Sequence, residues 1–242
     1  MNKTFIRTKN VVNFVSLMNE LQNLPPNIPK MALVYGDFGL GKSETIKWWT
    51  FKNDCVYVRA TQGMSTRWLL SEIAEELGEE PFWHSKETFE IIEKSLFQNP
   101  KTIIIDEVDY LIEKKSIETL RDLHDRTGCP LVLVGMNQID IKLSRFPHLT
   151  DRIYKKFRFE NYDIQDIKKI LSELSEIPIT NDGLEYLSTR SNQFRQIVKL
   201  INRVEKLAKT NQITELNEQN LRGILNERQN ITTLQAVKPV FA

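Results

Sequence analysis

Two different patterns of apolar and polar positions follow one another along the chain. Up to about residue 160, short apolar runs alternate with amphipathic segments whose apolar residues recur at helical spacing. The apolar runs predict four buried strands, MALVYG, CVYVRAT, KTIIID and PLVLVG. RIYKKFRFE is a candidate for a fifth strand. Because strands and helices alternate, we predict an α/β fold, a parallel sheet with helices on both faces.

The pattern changes at Asn161. The segments DIQDIKKILSELSE, NDGLEYLSTR, QFRQIVKLINRVEKLAKT and NEQNLRGILNE have helical spacing, and no strand run separates them. We therefore predict three parts: an α/β core over 1–160, a small helical domain over 161–227, and a flexible tail over 228–242.

Composition and charge narrow the class of protein. With 242 residues, 27% of them charged, and only 9 glycines and 9 prolines, the chain is expected to be globular. Its formal net charge is +1, so any surface that binds nucleic acid must be local. Cys55 and Cys129 lie in apolar runs without metal-ligand spacing, and neither a signal peptide nor a membrane span is visible. We expect a cytoplasmic protein without a membrane partner.

A phosphate-binding loop follows the first predicted strand. The residues from Gly36 to Ser43 match G-x-x-x-x-G-K-[ST], between an apolar strand and a helix as that motif requires. Successive backbone N–H groups of such a loop wrap phosphate oxygens, and the N-terminus of the next helix adds partial positive charge. Lys42 is predicted to contact the β- and γ-phosphates of ATP, and the Ser43 hydroxyl to bind Mg²⁺. The residues assigned to the nucleotide are Gly36, Asp37, Phe38, Gly39, Leu40, Gly41, Lys42, Ser43 and Glu44.

Polar residues end two further predicted strands. Asp106 and Glu107 follow TIII, at the sheet edge where open α/β sheets bind ligands. Asp106 is predicted to hold Mg²⁺ through water, and Glu107 to orient and polarise the water that attacks the γ-phosphate. Asn137, after LVLVGM, is a candidate to bridge the γ-phosphate and that water; a turn-forming asparagine is the alternative.

Three arginines are candidates for a cation that reaches the γ-phosphate, a role that a neighbouring subunit often fills. Arg152 precedes the candidate fifth strand, and Arg195 begins the long helix of the predicted helical domain. Arg145 is an alternate in the same segment as Arg152. For each of them the alternative is a solvated or helix-capping arginine.

Together these residues resemble the nucleotide site of AAA+ ATPases, with a helical lid after the core. Between about Phe5 and Leu207, several strings resemble a more specific family: VYVRAT (Val56 to Thr61), LLSEIAEELG, IIIDEVDYL, ETLRDLHDRTGCPLVLVGM and LTDRIYKKFRF. That family comprises the DNA-transposition ATPases of phage Mu and Mu-like prophages, which are related to the regulators of Tn7-like elements.

The resemblance implies ATP-dependent self-association into a ring or helical filament on duplex DNA, capture of target DNA, and its delivery to a transposase. One feature departs from the phage Mu pattern. About thirty residues precede the phosphate loop, too few for an N-terminal helix-turn-helix domain, so we expect DNA contacts to come from the ATPase core.

Two loops combine basic and small polar residues, which suit contacts with DNA phosphates. The first contains Gln62, Ser65, Thr66 and Arg67, and the second contains Lys114 and Lys115. Loops in these places line the central channel of AAA+ assemblies, so we predict backbone contacts with duplex DNA without base specificity. The alternative is that the two lysines are ordinary surface residues.

Two other functions share the same nucleotide motifs. The first is the function of a helicase, clamp loader or replication initiator of the AAA+ class. Initiators add a winged-helix domain after the lid, and we expect too few residues after the lid here for such a domain. A signalling NTPase that binds only protein is the second, and it would lack DNA-stimulated ATPase activity.

Overall fold

The structure is a computed structural model that describes residue 2 and residues 4–113 and 116–225. The chain separates into two compact units. One unit is Asn10–Glu160, and the other combines the described residues of Met1–Lys9 with those of Asn161–Ala242.

The first unit is built on a sheet of five parallel strands, as the sequence predicts. The strands are β1 (Met31–Gly36), β2 (Val56–Arg59), β3 (Ile103–Asp106), β4 (Leu131–Gly135) and β5 (Ile153–Phe159). Their order across the sheet is β2-β3-β4-β1-β5, and every adjacent pair is parallel. β1 therefore has β4 on one side and β5 on the other, while β2 and β5 form the two edges. The RIYKKFRFE segment does form the fifth strand.

Helices cover both faces of this sheet. They are α1 (Lys9–Gln22), α2 (Lys42–Asn53), α3 (Thr66–Glu76), α4 (Ser85–Gln98), α5 (Asp109–Ile112), α6 (Ile117–Thr127), α7 (Ile139–Leu143) and α8 (Pro147–Thr150). On one face, α1 and α2 bury an apolar cluster that includes Phe14, Ile46 and Trp49. On the other face, α3, α4 and α6 bury a second cluster that includes Leu70 and Ile92. Since both faces are covered, the three central strands β1, β3 and β4 are nearly continuous buried runs and not alternating ones, whereas the edge strand β5 contains lysines and an arginine.

The second unit is helical, as the sequence predicts from Asn161 onward. It contains α9 (Ile164–Leu174), α10 (Asn181–Ser188) and α11 (Phe194–Thr210), and residues 218–225 are also helical. Their apolar faces share one core, with Ile170, Leu187 and Ile201 fully or almost fully buried. The proposed tail, 228–242, lies outside the described residues.

The first residues of the chain pack with the helical unit, whereas the sequence assigns 1–160 to the core. Ile6 is buried in the core of the helical unit. The backbone N–H of Lys9 donates to Asp166 at 3.3 Å, and Lys169 Nζ donates to the Arg7 carbonyl at 2.8 Å. These contacts join residues more than 150 positions apart, so sequence periodicity carries no signal for them.

Among the described residues, no helix combines the length and apolar character that a bilayer crossing requires.

Candidate nucleotide-binding site

The phosphate loop connects β1 to α2 in a backbone path that needs glycine. Gly39 and Gly41 have φ values of 78° and 83°, in the left-handed region that side chains disfavour. Gly36 has a φ of 151°, and a Cβ there would lie 2.6 Å from the carbonyl oxygen of Phe159 on β5. Leu40 is 1% exposed and anchors the loop in the core. The loop is thus held in one shape by packing beneath it.

Lys42 lies at the start of α2, with its ammonium group turned into the loop. Lys42 Nζ donates to the carbonyl oxygens of Gly36 and Asp37, each at 2.7 Å. Burial lowers the pKa of Lys42, and the nearby carboxylates of Asp106 and Asp37 oppose that shift. A buried cation whose partners are neutral carbonyls is well placed to gain from an anionic group at the loop.

Asp106 ends β3 and is almost completely buried, at 2% exposure. The Tyr57 hydroxyl donates to Asp106 Oδ2 at 3.0 Å, and the backbone N–H of Glu107 donates to Oδ1 at 2.9 Å. Burial, followed by the negative charge of Asp106, raises the pKa of Tyr57, so its hydroxyl remains a donor. The two bonds fix the direction of the Asp106 carboxylate.

Glu107 has an unusual backbone and a charged partner. Its φ is 57°, a left-handed conformation that costs a non-glycine residue roughly 1–3 kcal/mol and that is common in functional sites. Glu107 Oε1 accepts a hydrogen bond from Arg59 Nη2 at 2.5 Å, and this bond raises the pKa of Arg59. Arg59 ends β2, and because β2 pairs with β3 it stands directly opposite Asp106.

Asn137 lies in the turn after β4, and β4 lies between β1 and β3. The same turn is tied to the end of β3 through Asp109. Asp109 Oδ2 accepts from the backbone N–H of Met136 at 2.8 Å, and Oδ1 accepts from Lys142 Nζ at 3.0 Å. The phosphate loop, the Asp106–Glu107 pair and Asn137 therefore meet at one edge of the sheet, where all strands have their carboxyl ends.

Arg152 does not lie at this edge, and the predicted role of Arg145 stays a prediction. Arg152 immediately precedes β5, so it lies at the opposite edge of the parallel sheet, where the strands begin. Its guanidinium pairs with Asp125 at 3.0 Å and Asp151 at 2.8 Å. Arg145 is exposed between α7 and α8. Contact between Arg152 and a γ-phosphate thus requires a second copy of the chain.

Arg195 belongs to the helical unit. It is the second residue of α11 and is exposed. Its predicted role toward the nucleotide stays a prediction.

The first predicted DNA loop is partly engaged in local contacts. Ser65 is the N-cap of α3, and its hydroxyl accepts from the backbone N–H of Trp68 at 3.2 Å. The Arg67 guanidinium carbon lies 4.1 Å from the centre of the Trp83 ring. Gln62 is exposed and Thr66 is partly so. The lysines of the second loop, Lys114 and Lys115, lie outside the described residues.

The residues present fit ATP and Mg²⁺. Mg²⁺ prefers hard oxygen ligands and keeps several water and phosphate oxygens in its shell. The Ser43 hydroxyl and the Asp106 carboxylate are oxygen donors of that kind, at the start of α2 and the end of β3. Among the described residues no group of three or more His, Cys, Asp or Glu could hold a metal alone. Water and phosphate oxygens would complete the shell of such an ion.

The sheet order, the glycine loop and the acidic end of β3 are together those of the AAA+ P-loop NTPase fold. The family described as "AAA domain" matches residues 29–143, which include the phosphate loop, β2, β3 and β4. A "Potential ATP-binding protein" of Staphylococcus aureus is 34% identical over 76 residues. The matched segment is 31% of this chain and spans only 28% of that relative.

Solved structures with the same fold cover nearly the whole chain. The Aeropyrum pernix ORC2 protein, solved as ADPNP–ADP complexes, has a TM-score of 0.74 at 15% identity, covering 98% of this chain and 74% of its own. Drosophila ORC bound to DNA has a TM-score of 0.65 at 16% identity, covering 98% and 67%. The Thermotoga maritima RuvB Holliday junction branch migration motor has a TM-score of 0.55 at 21% identity, covering 92% and 70%. At these identities the likeness establishes the fold, and the AAA+ ATPase fold predicted from the sequence is confirmed.

Sequence reasoning assigned no function to Tyr57 or Arg59. Both belong to β2, which ends at the same edge as the Asp106–Glu107 pair. The available signal was a polar residue at the carboxyl end of a predicted strand, the same signal that identified Asn137. Only the strand order makes Arg59 a neighbour of Glu107.

We expect Tyr57→Phe to weaken the site and lower stability. The substitution removes one of the two donors that satisfy the buried Asp106 carboxylate, at a cost of about 1–2 kcal/mol in the free energy of unfolding. Urea denaturation would measure the stability, and a Mg²⁺ titration of nucleotide binding would measure the site. Tyr154→Phe is the matched control, since Tyr154 donates to Glu20 at 2.8 Å on the exposed surface. Equal effects of the two substitutions would contradict a role for Tyr57 in holding Asp106.

Proposed function

We propose that the protein is an ATP-hydrolysing AAA+ ATPase that binds duplex DNA without sequence preference and assembles on it in the presence of ATP. One observation carries the ATPase part of the proposal. Three strands that lie side by side, β3, β4 and β1, bring a phosphate loop, a buried aspartate with an adjacent glutamate, and an asparagine to one edge. A site that only held a nucleotide would have no need of a carboxylate such as Glu107 beside the phosphates.

The chain's own residues would divide the work of hydrolysis. The loop N–H groups and Lys42 bind and orient the phosphates, and Lys42 offsets their charge. Ser43 and Asp106 would hold Mg²⁺, which supplies charge neutralisation when bound. Glu107 would orient the attacking water and accept its proton, and Asn137 would hold the same water from the β4 side.

Arg59 would restrain this chemistry. The hydrogen bond from Arg59 Nη2, at 2.5 Å, occupies the Oε1 atom of Glu107. Glu107 would therefore have to leave Arg59 before it could serve as the base.

Self-association would give Arg152 its predicted role. The arginine lies at the edge where the strands begin, so it would act only on the nucleotide of a neighbouring copy. The ring or helical filament implied by the sequence resemblance would supply that neighbour.

DNA transposition is the finer role that we propose, with a transposase as the partner that receives the target DNA. Its support is the sequence resemblance described above. A replication initiator or a helicase-type ATPase is the second candidate, supported by the structural likeness to the Aeropyrum pernix ORC2 protein over 98% of this chain. The match to Drosophila ORC bound to DNA agrees with a DNA ligand in either case.

Two substitutions should separate ATP binding from hydrolysis. Lys42→Ala removes the cation at the phosphates, so we expect loss of ATP binding and, with it, of assembly on DNA. Glu107→Gln keeps the shape but not the base, so we expect ATP binding to persist while turnover falls by about 10²–10⁴-fold. Fluorescent-nucleotide binding and phosphate release would measure the two steps. Unchanged turnover in Glu107→Gln would remove Glu107 from its proposed role.

DNA binding should depend on Lys114 and Lys115, as the sequence predicts. We expect Lys114→Glu with Lys115→Glu to weaken duplex binding and its salt dependence while basal ATPase activity is unchanged, because phosphate contacts depend on counterion release. Anisotropy titrations at several salt concentrations would measure this. The matched control is Lys199→Glu with Lys206→Glu, two exposed lysines of α11. Retained binding at moderate salt would place the DNA contacts elsewhere.

Electron microscopy would distinguish the two cellular roles. With arbitrary duplex DNA and a slowly hydrolysed ATP analogue, the transposition role predicts continuous filaments along the duplex. An initiator-type role predicts isolated complexes that favour particular sequences. A chain that stays monomeric and shows no DNA-stimulated ATPase activity would contradict both and favour a protein-binding NTPase.

A further inference from the structure

Charge is distributed unevenly between the two outer strands of the core sheet, β2 and β5, and the segments beside them. Residues 66–98, the α3–α4 hairpin, contain eight glutamates against three basic residues, a net charge of −5. Residues 142–158, which end in β5, contain six lysines and arginines against one aspartate, a net charge of +5. The formal net charge of +1 for the whole chain conceals this separation.

The strand order places these two segments far apart. α3 packs against β2, which is one edge strand, and β5 is the edge strand at the other end. Four strand spacings of about 4.8 Å separate β2 from β5, which is about 19 Å. One copy therefore cannot bring its own hairpin against its own β5, although Lys142, Arg152 and Lys155 pair with acidic residues elsewhere in that copy.

The acidic hairpin also exposes large aromatic side chains. Phe82 and Trp83, in the turn between α3 and α4, are 46% and 75% exposed. The hydroxyl of Thr88, which is 1% exposed, accepts a hydrogen bond from the backbone N–H of Phe82 at 2.9 Å. This bond holds the turn in place. Glu76 and Glu80 are exposed on the same hairpin. Trp83 already packs against one guanidinium, that of Arg67. The hairpin is thus a fixed surface that suits a basic and aromatic partner.

The β5 edge has those properties. β5 pairs with β1 on one side, and among the described strands its other side has no partner. Tyr154, Lys156 and Arg158 are exposed along it. Within the described part of the chain, no ion pair engages Lys156 or Arg158, whereas Lys155 pairs with Glu20 at 2.6 Å.

We propose that the α3–α4 hairpin of one copy docks on the β5 edge of the next copy. This inference rests on the self-association proposed above and names the surfaces that carry it. The two surfaces lie at opposite ends of the sheet, so the contact is head-to-tail and builds a ring or an open filament, not a closed dimer.

The charges favour a second copy as the occupant of both surfaces. DNA is disfavoured as the ligand of the acidic part of the hairpin, residues 72–93, because its eight glutamates repel phosphates; the predicted DNA contacts Thr66 and Arg67 lie before that part. The hairpin exposes Glu76 and Glu80, whereas the β5 edge exposes Lys156 and Arg158, and both surfaces expose aromatic rings. Lysines on an edge strand also protect it against non-specific pairing with other strands. If that is the only role of Lys156, reversing its charge would leave assembly unchanged.

Reversing the charge of each surface tests the pairing. One variant carries Glu76→Lys with Glu80→Lys, and the other carries Lys156→Glu with Arg158→Glu. Both are studied as full chains with Mg²⁺ and a slowly hydrolysed ATP analogue, by sedimentation velocity at several salt concentrations. Lys199→Glu with Lys206→Glu serves as the control, and nucleotide binding and circular dichroism verify folding.

We expect each reversed variant alone to need an at least about tenfold higher concentration for half-assembly than the wild type, because attraction becomes repulsion. An equimolar mixture of the two should assemble again, since each restores the complement that the other lacks. Wild-type assembly should weaken as salt rises, because the Debye length falls from about 30 Å at 0.01 M to about 8 Å at 0.15 M.

Three outcomes would overturn the inference. If the variants assemble like the wild type, other surfaces form the interface and the β5 lysines only protect the edge. If the mixture fails to assemble, the two surfaces are not complements. If the β5 variant assembles normally but loses duplex binding, that edge is a DNA contact. A wild type that stays monomeric at every salt concentration would also defeat the proposed self-association, whereas the other results leave it intact.

Discussion

The parallel pairing of β3, β4 and β1 is the constraint on which the candidate site depends. Parallel strands place all their carboxyl ends at one edge, and short loops there carry chemically different side chains into one space. β1 supplies the phosphate loop, β3 supplies Asp106 and Glu107, and β4 supplies Asn137. A different strand order would leave the same residues in the chain but scatter them.

Burial then gives these residues their electrostatic character. Lys42 and Asp106 have opposite charges and are both more than nine-tenths buried, with carbonyls around the first and hydrogen-bond donors around the second. Charges in such surroundings interact more strongly than charges in water. The site is therefore pre-organised for an anion beside Lys42 and a cation beside Asp106, which is the polarity of a nucleotide with Mg²⁺.

Whether a structural feature can be predicted from the sequence depends on how far apart in the chain the interacting residues are. The phosphate loop, the five strands and the helical unit are local patterns, and they were predicted because a strand, a glycine loop and a helix each leave a signal within about 20 residues. The pairing of Arg59 with Glu107 depends on β2 lying next to β3, which no local pattern encodes. The same holds for Ile6, whose burial in the helical unit joins the two ends of the described chain.

Strand direction also decides how Arg152 must be interpreted. An arginine just before a strand lies at a sheet edge, as predicted, but in a parallel sheet it lies at the edge away from the phosphate loop. The strand order thus has two separate consequences. It gathers the nucleotide residues at the carboxyl ends of the central strands, and it places opposite charges beside the two edge strands, about 19 Å apart. Because the two features occupy different parts of the sheet, a substitution beside an edge strand can change contacts between copies while leaving the nucleotide-binding residues of the same copy in place.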